Sequence, residues 1–309
     1  MANYVCMDIG GMSIKHGVAT NDGVLLTSGA THMIMAEVDL QTMLNQLEAI
    51  VLDYKKKYRL SGVAIATAGM VDTAKGIIIY SGAHFPEHFT GTNLKKYIEE
   101  KCKLTCTVEN DVNAAALGEY WLGSAQTKDL IFCITIGTGI GGALLYKGKL
   151  IHGAAQCTGE VGYTFMGEKN RWEDVASTAA LIRQVTFDKH AAKGSITGEV
   201  IFALAKDGDP TAINALQELT ERLAIGIANI CYTVNPELIV LGGGITAQKA
   251  YLEPLINKRL AELLIEPLRK NTNLVFATLG NKAGMLGALY FFMQEQSRLR
   301  ELKGKIANL

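Results

Sequence analysis

The chain carries no excess of charge: thirty Lys and Arg residues balance thirty Asp and Glu across 309 residues. No basic stretch stands out, so nucleic acid and anionic membrane are poor partners. No apolar run approaches the roughly eighteen residues that a spanning helix needs. The chain enters a strand by Tyr4 with neither a basic leader region nor an apolar leader core, so no secretory signal is expected and the protein is read as cytoplasmic. Its cysteines (Cys6, Cys102, Cys106, Cys133, Cys157 and Cys231) are scattered, most of them in apolar runs, which fits free buried thiols better than disulfides. Cys102 and Cys106 lie close together, but no second Cys/His pair completes a zinc set. No G-x-x-x-x-G-K-[ST] stretch occurs, so a P-loop is not indicated. No low-complexity linker interrupts a length ample for two lobes.

What is present is a duplication. Val5-Cys6-Met7-Asp8-Ile9 leads into Gly10-Gly11, a second β-rich run from Ser13 to Thr20, the turn Asn21-Asp22-Gly23 and Val24-Leu25-Leu26. Leu130 to Ile136 leads into Gly137-Thr138-Gly139, then Ile140 to Tyr146, the turn Lys147-Gly148 and Lys149-Leu150-Ile151. The same strand, glycine loop, strand, turn, strand unit occurs twice. Glycine suits such loops because it tolerates positive φ and lets backbone N–H groups approach a phosphate. A duplicated phosphate-binding meander points to a two-lobed ATPase core of α/β class. A dinucleotide site is the competing reading, since Gly137, Gly139 and Gly142 satisfy G-x-G-x-x-G and Glu160 follows at a suitable distance. That fingerprint requires the glycines to open a helix, whereas Ala143 to Leu150 reads as strand, turn and strand.

Helical periods mark 40–57, 93–103, 111–122, 173–189, 198–206, 210–234, 251–264 and 283–298, and further strands are expected at 62–67, 77–79, 105–109, 238–241 and 274–277. The crossover between lobes is placed within 110–120. This gives a small N-terminal lobe of 1–112 plus 284–309 and a large lobe of 113–283, with the final helix packing back on the first. Asp111 sits where a strand gives way to a helix, pointing into the inter-lobe cleft. There it suits a helix N-cap as well as a general base. Asp8 is a strand-end turn residue or a carboxylate near a metal. Asn110 is a turn former, and Lys15 a solvated strand residue or a phosphate contact. Gly243 and Gly244 terminate a strand, and Tyr163 is a packing aromatic.

Several segments in fixed order resemble the ROK sugar kinases and their repressor relatives, of the actin/hexokinase-like fold. They are Asp8 to Ser13 (with Ser where Thr is commoner), Ala68-Gly69-Met70-Val71-Asp72, Val108-Glu109-Asn110-Asp111-Val112-Asn113 through Glu119, Gly137 to Gly142, Gly159-Glu160-Val161-Gly162, and Asn235-Pro236-Glu237 through Gly242-Gly243-Gly244. The resemblance implies ATP and Mg²⁺ as cofactors and a sugar as substrate. Asp111 would be the general base, and Asp8 would help hold Mg²⁺ through water. Gly10, Gly11, Ser13, Lys15, Gly137, Thr138, Gly139, Gly243 and Gly244 would lie around the nucleotide. Gly69, Asn110, Asp111, Glu160, Tyr163 and Glu173 would lie around the sugar. A homodimer is also expected. Zinc-bearing relatives follow Gly-Glu-x-Gly with His and a cysteine cluster, whereas here Tyr163 follows Gly162 and Thr164 to Arg171 contains no cysteine. A zinc-free chain is expected, and the Gly-Glu-x-Gly-Tyr variant, with Ser81-Gly82-Ala83, resembles the β-glucoside kinases of the family. These phosphorylate the 6-hydroxyl of the non-reducing glucose of cellobiose and similar disaccharides. Without a zinc clamp, the loop after Tyr163 is expected to be freer and to leave room for an aglycone. The alternatives are a glucokinase or hexokinase and an N-acetylmannosamine kinase. A sugar-responsive repressor is disfavoured because Asp8 lies too near the N-terminus for a winged helix. A sugar sensor without catalysis is the remaining non-enzymatic reading.

Overall fold

The computed structural model describes residues 1–307. In chain order the elements are β1 (Asn3–Ile9), β2 (Ser13–Thr20), β3 (Leu25–His32), α1 (Leu40–Lys57), β4 (Leu60–Thr67), β5 (Met70–Asp72), β6 (Ile77–Tyr80), α2 (Leu94–Cys102), β7 (Cys106–Asn110) and α3 (Asp111–Leu122). There follow β8 (Leu130–Ile136), β9 (Ile140–Tyr146), β10 (Lys149–Leu150), β11 (Phe165–Met166), β12 (Asn170–Arg171), α4 (Trp172–Ala176), α5 (Thr178–Asp188), α6 (Gly198–Lys206) and α7 (Pro210–Val234). β13 (Leu238–Gly242), α8 (Lys249–Leu263), α9 (Glu266–Asn271), β14 (Asn273–Phe276) and α10 (Ala283–Ala307) complete them. Both meanders form, and among the described residues the five-stranded sheets run β3-β2-β1-β4-β7 and β10-β9-β8-β13-β14.

The first compact unit comprises Met1–Gln126, Gly148–Cys157 and the chain from Asn281 on. In its sheet β1, β2 and β3 are antiparallel, while β4 and β7 run parallel to β1 and β4 respectively. Side-chain alternation gives the sheet two unlike faces. Val5, Met7, Ile9, Val63 and Ile65 join Met43, Leu47 and Val51 of α1 and Leu94 and Ile98 of α2 in one core. α1 starts because Asp39 accepts the Thr42 amide (2.8 Å), and it ends in Lys55, Lys56 and Lys57, which suit the negative end of the helix dipole. Cys6, Ala64 and Ala66 point the other way and meet Ala114, Met285, Ala288, Leu289 and Phe292. Small residues on that face let α10 come close. A Cβ on Gly287 would stand 1.5 Å from the Ala114 carbonyl oxygen, and one on Gly118 would stand 2.5 Å from that of Ala283.

This contact moves the boundary expected at 112/113. α3 stays with the first unit, which runs on to Gln126, and the chain returns to that unit over Gly148–Cys157 before leaving it again. The final helix packs on α3 and on β4 and β1, and it extends to Ala307 rather than ending at Arg298.

The second unit comprises Thr127–Lys147 and Thr158–Gly280. β9 pairs antiparallel with β8, and β13 runs parallel to both β8 and β14. Its core gathers Phe132, Ile134, Ile136, Ile239 and Leu241 against α4 to α8. α7 opens on Asp209, which accepts the Ala212 amide (2.9 Å), with Pro210 in the first turn, and closes on a left-handed Asn235. The single helix expected over 173–189 is two. Ser177 is extended (φ −80°, ψ 163°) and its hydroxyl starts α5 by accepting the Ala180 amide. The apolar period continues through the break, which hides it in the sequence. The buried Trp172 lies where a Cβ on Gly226 of α7 would be 2.1 Å from the indole, and its Nε1 donates to the Arg222 carbonyl at 3.0 Å. Cys6, Cys102, Cys106, Cys133 and Cys231 are buried, and burial pushes the Cys6 thiol up to about 12.

Candidate active site

Within the first unit, β1 and β2 are joined through Gly10, Gly11 and Met12, and the Gly10 amide donates to the Ser13 carbonyl at 3.0 Å. Neither Gly10 nor Gly11 has positive φ, so conformational licence does not explain them here. Asp8 and Lys15 are cross-strand partners, with Nζ 3.4 Å from Oδ2. The alternation that sends Cys6 toward α10 sends Asp8 there too, where a Cβ on Gly284 would be 2.8 Å from its carboxylate. The Asp8 side chain is 14% exposed. Burial raises its pKa, and the charge and hydrogen bond of Lys15 only partly offset that rise. Lys15 is therefore a partner of the buried acid rather than a merely solvated strand residue.

Asn110, not Asp111, is the N-cap of α3. Its Oδ1 accepts the amides of Val112 (2.9 Å) and Asn113 (3.0 Å). Its Nδ2 donates to the Gly69 carbonyl at 2.9 Å and to Asp111 Oδ1 at 3.1 Å. Gly69 must be glycine: φ is +99°, and a Cβ would stand 2.5 Å from the Tyr80 carbonyl oxygen. Asp111 is the first helical residue, and its Oδ1 accepts the Val112 amide at 2.9 Å. The structure thus joins Gly69, Asn110 and Asp111 in one hydrogen-bonded group and leaves capping to the neighbour.

Two residues not singled out in the sequence support this group. Glu109, 1% exposed, accepts the Asn110 amide (2.8 Å) and the Asn113 side-chain amide (3.0 Å) through Oε1. Its Oε2 lies 2.8 Å from Nε2 of His152, which belongs to the returning segment Gly148–Cys157. The available signal was a Glu at the buried end of an otherwise apolar strand.

In the second unit Gly137, Thr138 and Gly139 join β8 to β9, again without positive φ at either glycine. The missing Cβ at Gly139 admits a carboxylate: a Cβ there would stand 2.6 Å from Glu173 Oε2, which also accepts the Ile140 amide at 3.4 Å. The Gly137 carbonyl accepts the Thr178 amide at 2.9 Å, so the break before α5 ties the loop to the helix. Gly243 has φ of +86°, and a Cβ would stand 2.4 Å from the Ile136 carbonyl oxygen, bringing the end of β13 against the end of β8. Gly244 has open space around it.

Glu160 shares the neighbourhood of Glu173. Burial, and then the Glu173 charge, raise its pKa. Two of the proposed sugar residues are therefore electrostatically coupled. The stretch after Tyr163 is not a free loop. β11 and β12 form a hairpin, the Thr164 hydroxyl donates to the Val161 carbonyl (2.6 Å), and the Trp172 amide donates to the Thr164 carbonyl (2.7 Å). The Arg171 guanidinium lies 4.7 Å over the Tyr163 ring. Phe165 stands out from the hairpin, 68% exposed.

Among the described residues no group of three or more His, Cys, Asp or Glu side chains is placed to hold a metal. Asp8 would fit a divalent ion only as one carboxylate among oxygens supplied by water and by a bound phosphate, beside the Lys15 ammonium that already stands 3.4 Å away. Among the described residues no helix is long and apolar enough to cross a membrane.

The profile of the ROK family matches residues 4–295. A β-glucoside kinase of Listeria innocua is 32% identical, over 94% of this chain and 97% of its own. A solved Listeria monocytogenes protein, named as a proposed N-acetylmannosamine kinase, superposes with a TM-score of 0.85 at 30% identity, over 95% of this chain and 99% of its own. A ROK glucokinase from Streptomyces griseus, solved with glucose and AMPPNP, gives 0.81 at 27% identity, over 94% and 99%. The likeness extends across both units, and the fold is of the actin/hexokinase-like type.

Proposed function

The chain belongs to the ROK family, and we propose that it is an ATP-dependent kinase that phosphorylates the 6-hydroxyl of the non-reducing glucose of β-glucosides such as cellobiose. The observation that carries the kinase reading is the Gly69–Asn110–Asp111 group. It presents a carboxylate on the first turn of a helix whose capping is done by Asn110. The nucleotide and sugar bound to the Streptomyces griseus relative support ATP and a sugar as the reactants.

In the proposed reaction the sugar oxygen attacks the γ-phosphorus of ATP. The new O–P bond forms as the bond to the β-phosphate oxygen breaks, the hydroxyl proton passes to Asp111, and ADP leaves. The backbone around Gly10 and Gly11 and around Gly137 to Gly139 lines the phosphates, where side chains would obstruct approach. Ser13 adds a hydroxyl and Lys15 a positive charge, while Gly243 and Gly244 lie by the adenosine. Asp8 would hold Mg²⁺ through water, and the ion when bound supplies positive charge to the phosphates. Asn110 and Glu160 hold sugar hydroxyls. The raised pKa of Glu160 strengthens its case, since a strained carboxylate gains most from hydroxyl donors.

The acceptor assignment rests on the β-glucoside kinase relative and on the hairpin that carries exposed Phe165 beside Tyr163. Aromatic faces suit the apolar face of a second sugar ring. The second reading, glucokinase or N-acetylmannosamine kinase, follows from the two solved relatives. An ATP-consumption screen over glucose, mannose, N-acetylmannosamine, cellobiose and gentiobiose, with NMR location of the phosphate, decides between them. Turnover of cellobiose above glucose sustains the proposal. Inert cellobiose with active glucose or N-acetylmannosamine replaces the acceptor, and no turnover at all removes the kinase.

A further inference from the structure

His152 is an unexpected residue to find against the end of β7. The chain has already entered the second unit at Thr127, yet Gly148–Cys157 returns to the first and leaves again at Thr158. That return is held by side chains along its length. Gln294 of α10 donates to the Gly148 carbonyl (2.8 Å), and Thr73 donates to Gln156 Oε1 (3.4 Å). At its centre His152 Nε2 is 2.8 Å from Glu109 Oε2. The other oxygen of that carboxylate receives the Asn110 amide and the Asn113 side chain, which flank Asp111 on either side. One carboxylate therefore links the returning segment to the first turn of α3.

We propose that His152 is a positioning residue: through the buried carboxylate of Glu109 it fixes the first turn of α3, and so the direction in which Asp111 presents its own carboxylate. The inference rests on the kinase reading for the role of Asp111. A buried carboxylate needs compensation, and the sole ion-pair partner found for Glu109 among the described residues is this imidazole. The groups facing the His152 ring are Glu109 from β7 and, from α10, the charge of Glu295 and the edge of Phe291 at 6.3 Å. Burial opposes the charged ring, but the bond and charge of Glu109 with the charge of Glu295 outweigh it, so the ring keeps its proton to higher pH than an ordinary histidine. As pH rises through that raised value, the ring loses its charge and Glu109 is left with neutral hydrogen-bond donors only. The orientation of Asp111 should loosen there, not in acid.

Two measurements test this. NMR titration of the His152 ring should show a raised pKa in the unaltered protein that falls in Glu109→Gln. The same value in both proteins overturns the link, whatever the enzyme acts on. In steady-state kinetics, His152→Leu should lower kcat about 10–100-fold, the scale of a small misplacement of a catalytic group, with KM for sugar and ATP little changed. His152→Gln keeps a donor and should recover much of that loss near neutral pH. It should also lack the alkaline ionisation that the unaltered protein shows in kcat. If the leucine variant does not fold, this pH profile decides. Unchanged kcat in His152→Leu, a loss confined to KM, or an alkaline limb that survives in His152→Gln each overturn the proposal. Absence of turnover in the unaltered protein removes the kinase reading alone, and the titration still tests the His152–Glu109 link.

Discussion

The two glycine loops share a backbone plan and divide the chemistry. In the first, Ile9 pairs with Ile14, and the pair beyond them is Asp8 with Lys15, opposite charges across the strands. In the second, Ile136 pairs with Ile140, and the corresponding pair is Thr135 with Gly141. The first loop carries its own acid, enclosed by Gly284. The second carries none and borrows Glu173 from α4, which reaches it because Gly139 has no side chain. A duplicated meander thus need not duplicate a site. One copy keeps charges on its strands, while the other offers backbone and receives its carboxylate from outside.

The sharpest division is between groups that react and groups that bind. Asp111→Asn should lower kcat by about 10²–10⁴, the usual scale for a general base. Stability should barely move, because Asn110 supplies the cap. Near-normal kcat in a rapid-quench or coupled assay would place Asp111 among the binding residues and undo the contrast.

Asp8→Asn should cost activity on the order of 10²–10³-fold, as for the loss of one preorganised charge-stabilising group, and yet raise Tm at neutral pH. The sign follows from its raised pKa. Folding favours the protonated acid, so its contribution to stability is full below the ordinary aspartate range and is lost as pH rises through the raised value. The amide removes that loss, and its advantage should vanish in acid. Thermal melts of both proteins across pH check this. A Tm gain that persists unchanged in acid would trace the effect to packing instead.

On the second unit, Phe165→Ala should reduce kcat/KM for cellobiose by about tenfold, within the range that a few contacts to a substrate group supply, and leave glucose unaffected. An equal loss for both sugars would make Phe165 structural. Gly243→Ala should destabilise by about 2 kcal/mol or more, since the Cβ meets the Ile136 backbone at positive φ. Denaturant unfolding measures it. Gly244→Ala, with nothing near its Cβ, is the matched control. The smallest effect is expected from zinc-selective chelation with Mg²⁺ restored. Tm and kcat should both stay level, and a loss of either alongside stoichiometric zinc would contradict the reading of Tyr163 to Arg171.

Much of this was legible in the sequence where local pattern and tertiary demand agree. The ends of α1, α3, α6 and α7 coincide with the expected helices because caps, prolines and apolar periods mark them together. The meanders were readable because a glycine loop between β-branched runs has few alternatives. The rest depended on contacts distant in sequence. Ser177 breaks a helix whose period does not falter, and capping falls to Asn110, whose Oδ1 accepts the Val112 and Asn113 amides while its Nδ2 reaches Gly69. The glycines of both loops lack the positive φ that glycine would license there. Gly139 gives way to a carboxylate supplied by α4. The hairpin after Tyr163 lay in a stretch read only by what it lacks. Glu109 and His152 escaped notice because their meaning lies in the pairing, and nothing local in the chain announces a return to the first unit.

The tight crossing of α3 and α10 bears on how the molecule is made. Synthesis runs from the N-terminus, and domains generally fold as units. Here the face of the first sheet that carries Cys6, Ala64 and Ala66 is closed by Met285, Ala288, Leu289 and Phe292, all of which follow the whole second unit. A ribosome-bound chain can assemble 127–147 with 158–280 while the strand bearing Asp8 and the helix bearing Asp111 still lack their covering partner. The first sheet is thus translated first but covered last, and the Asp8 carboxylate lacks its neighbour Gly284 until α10 has emerged.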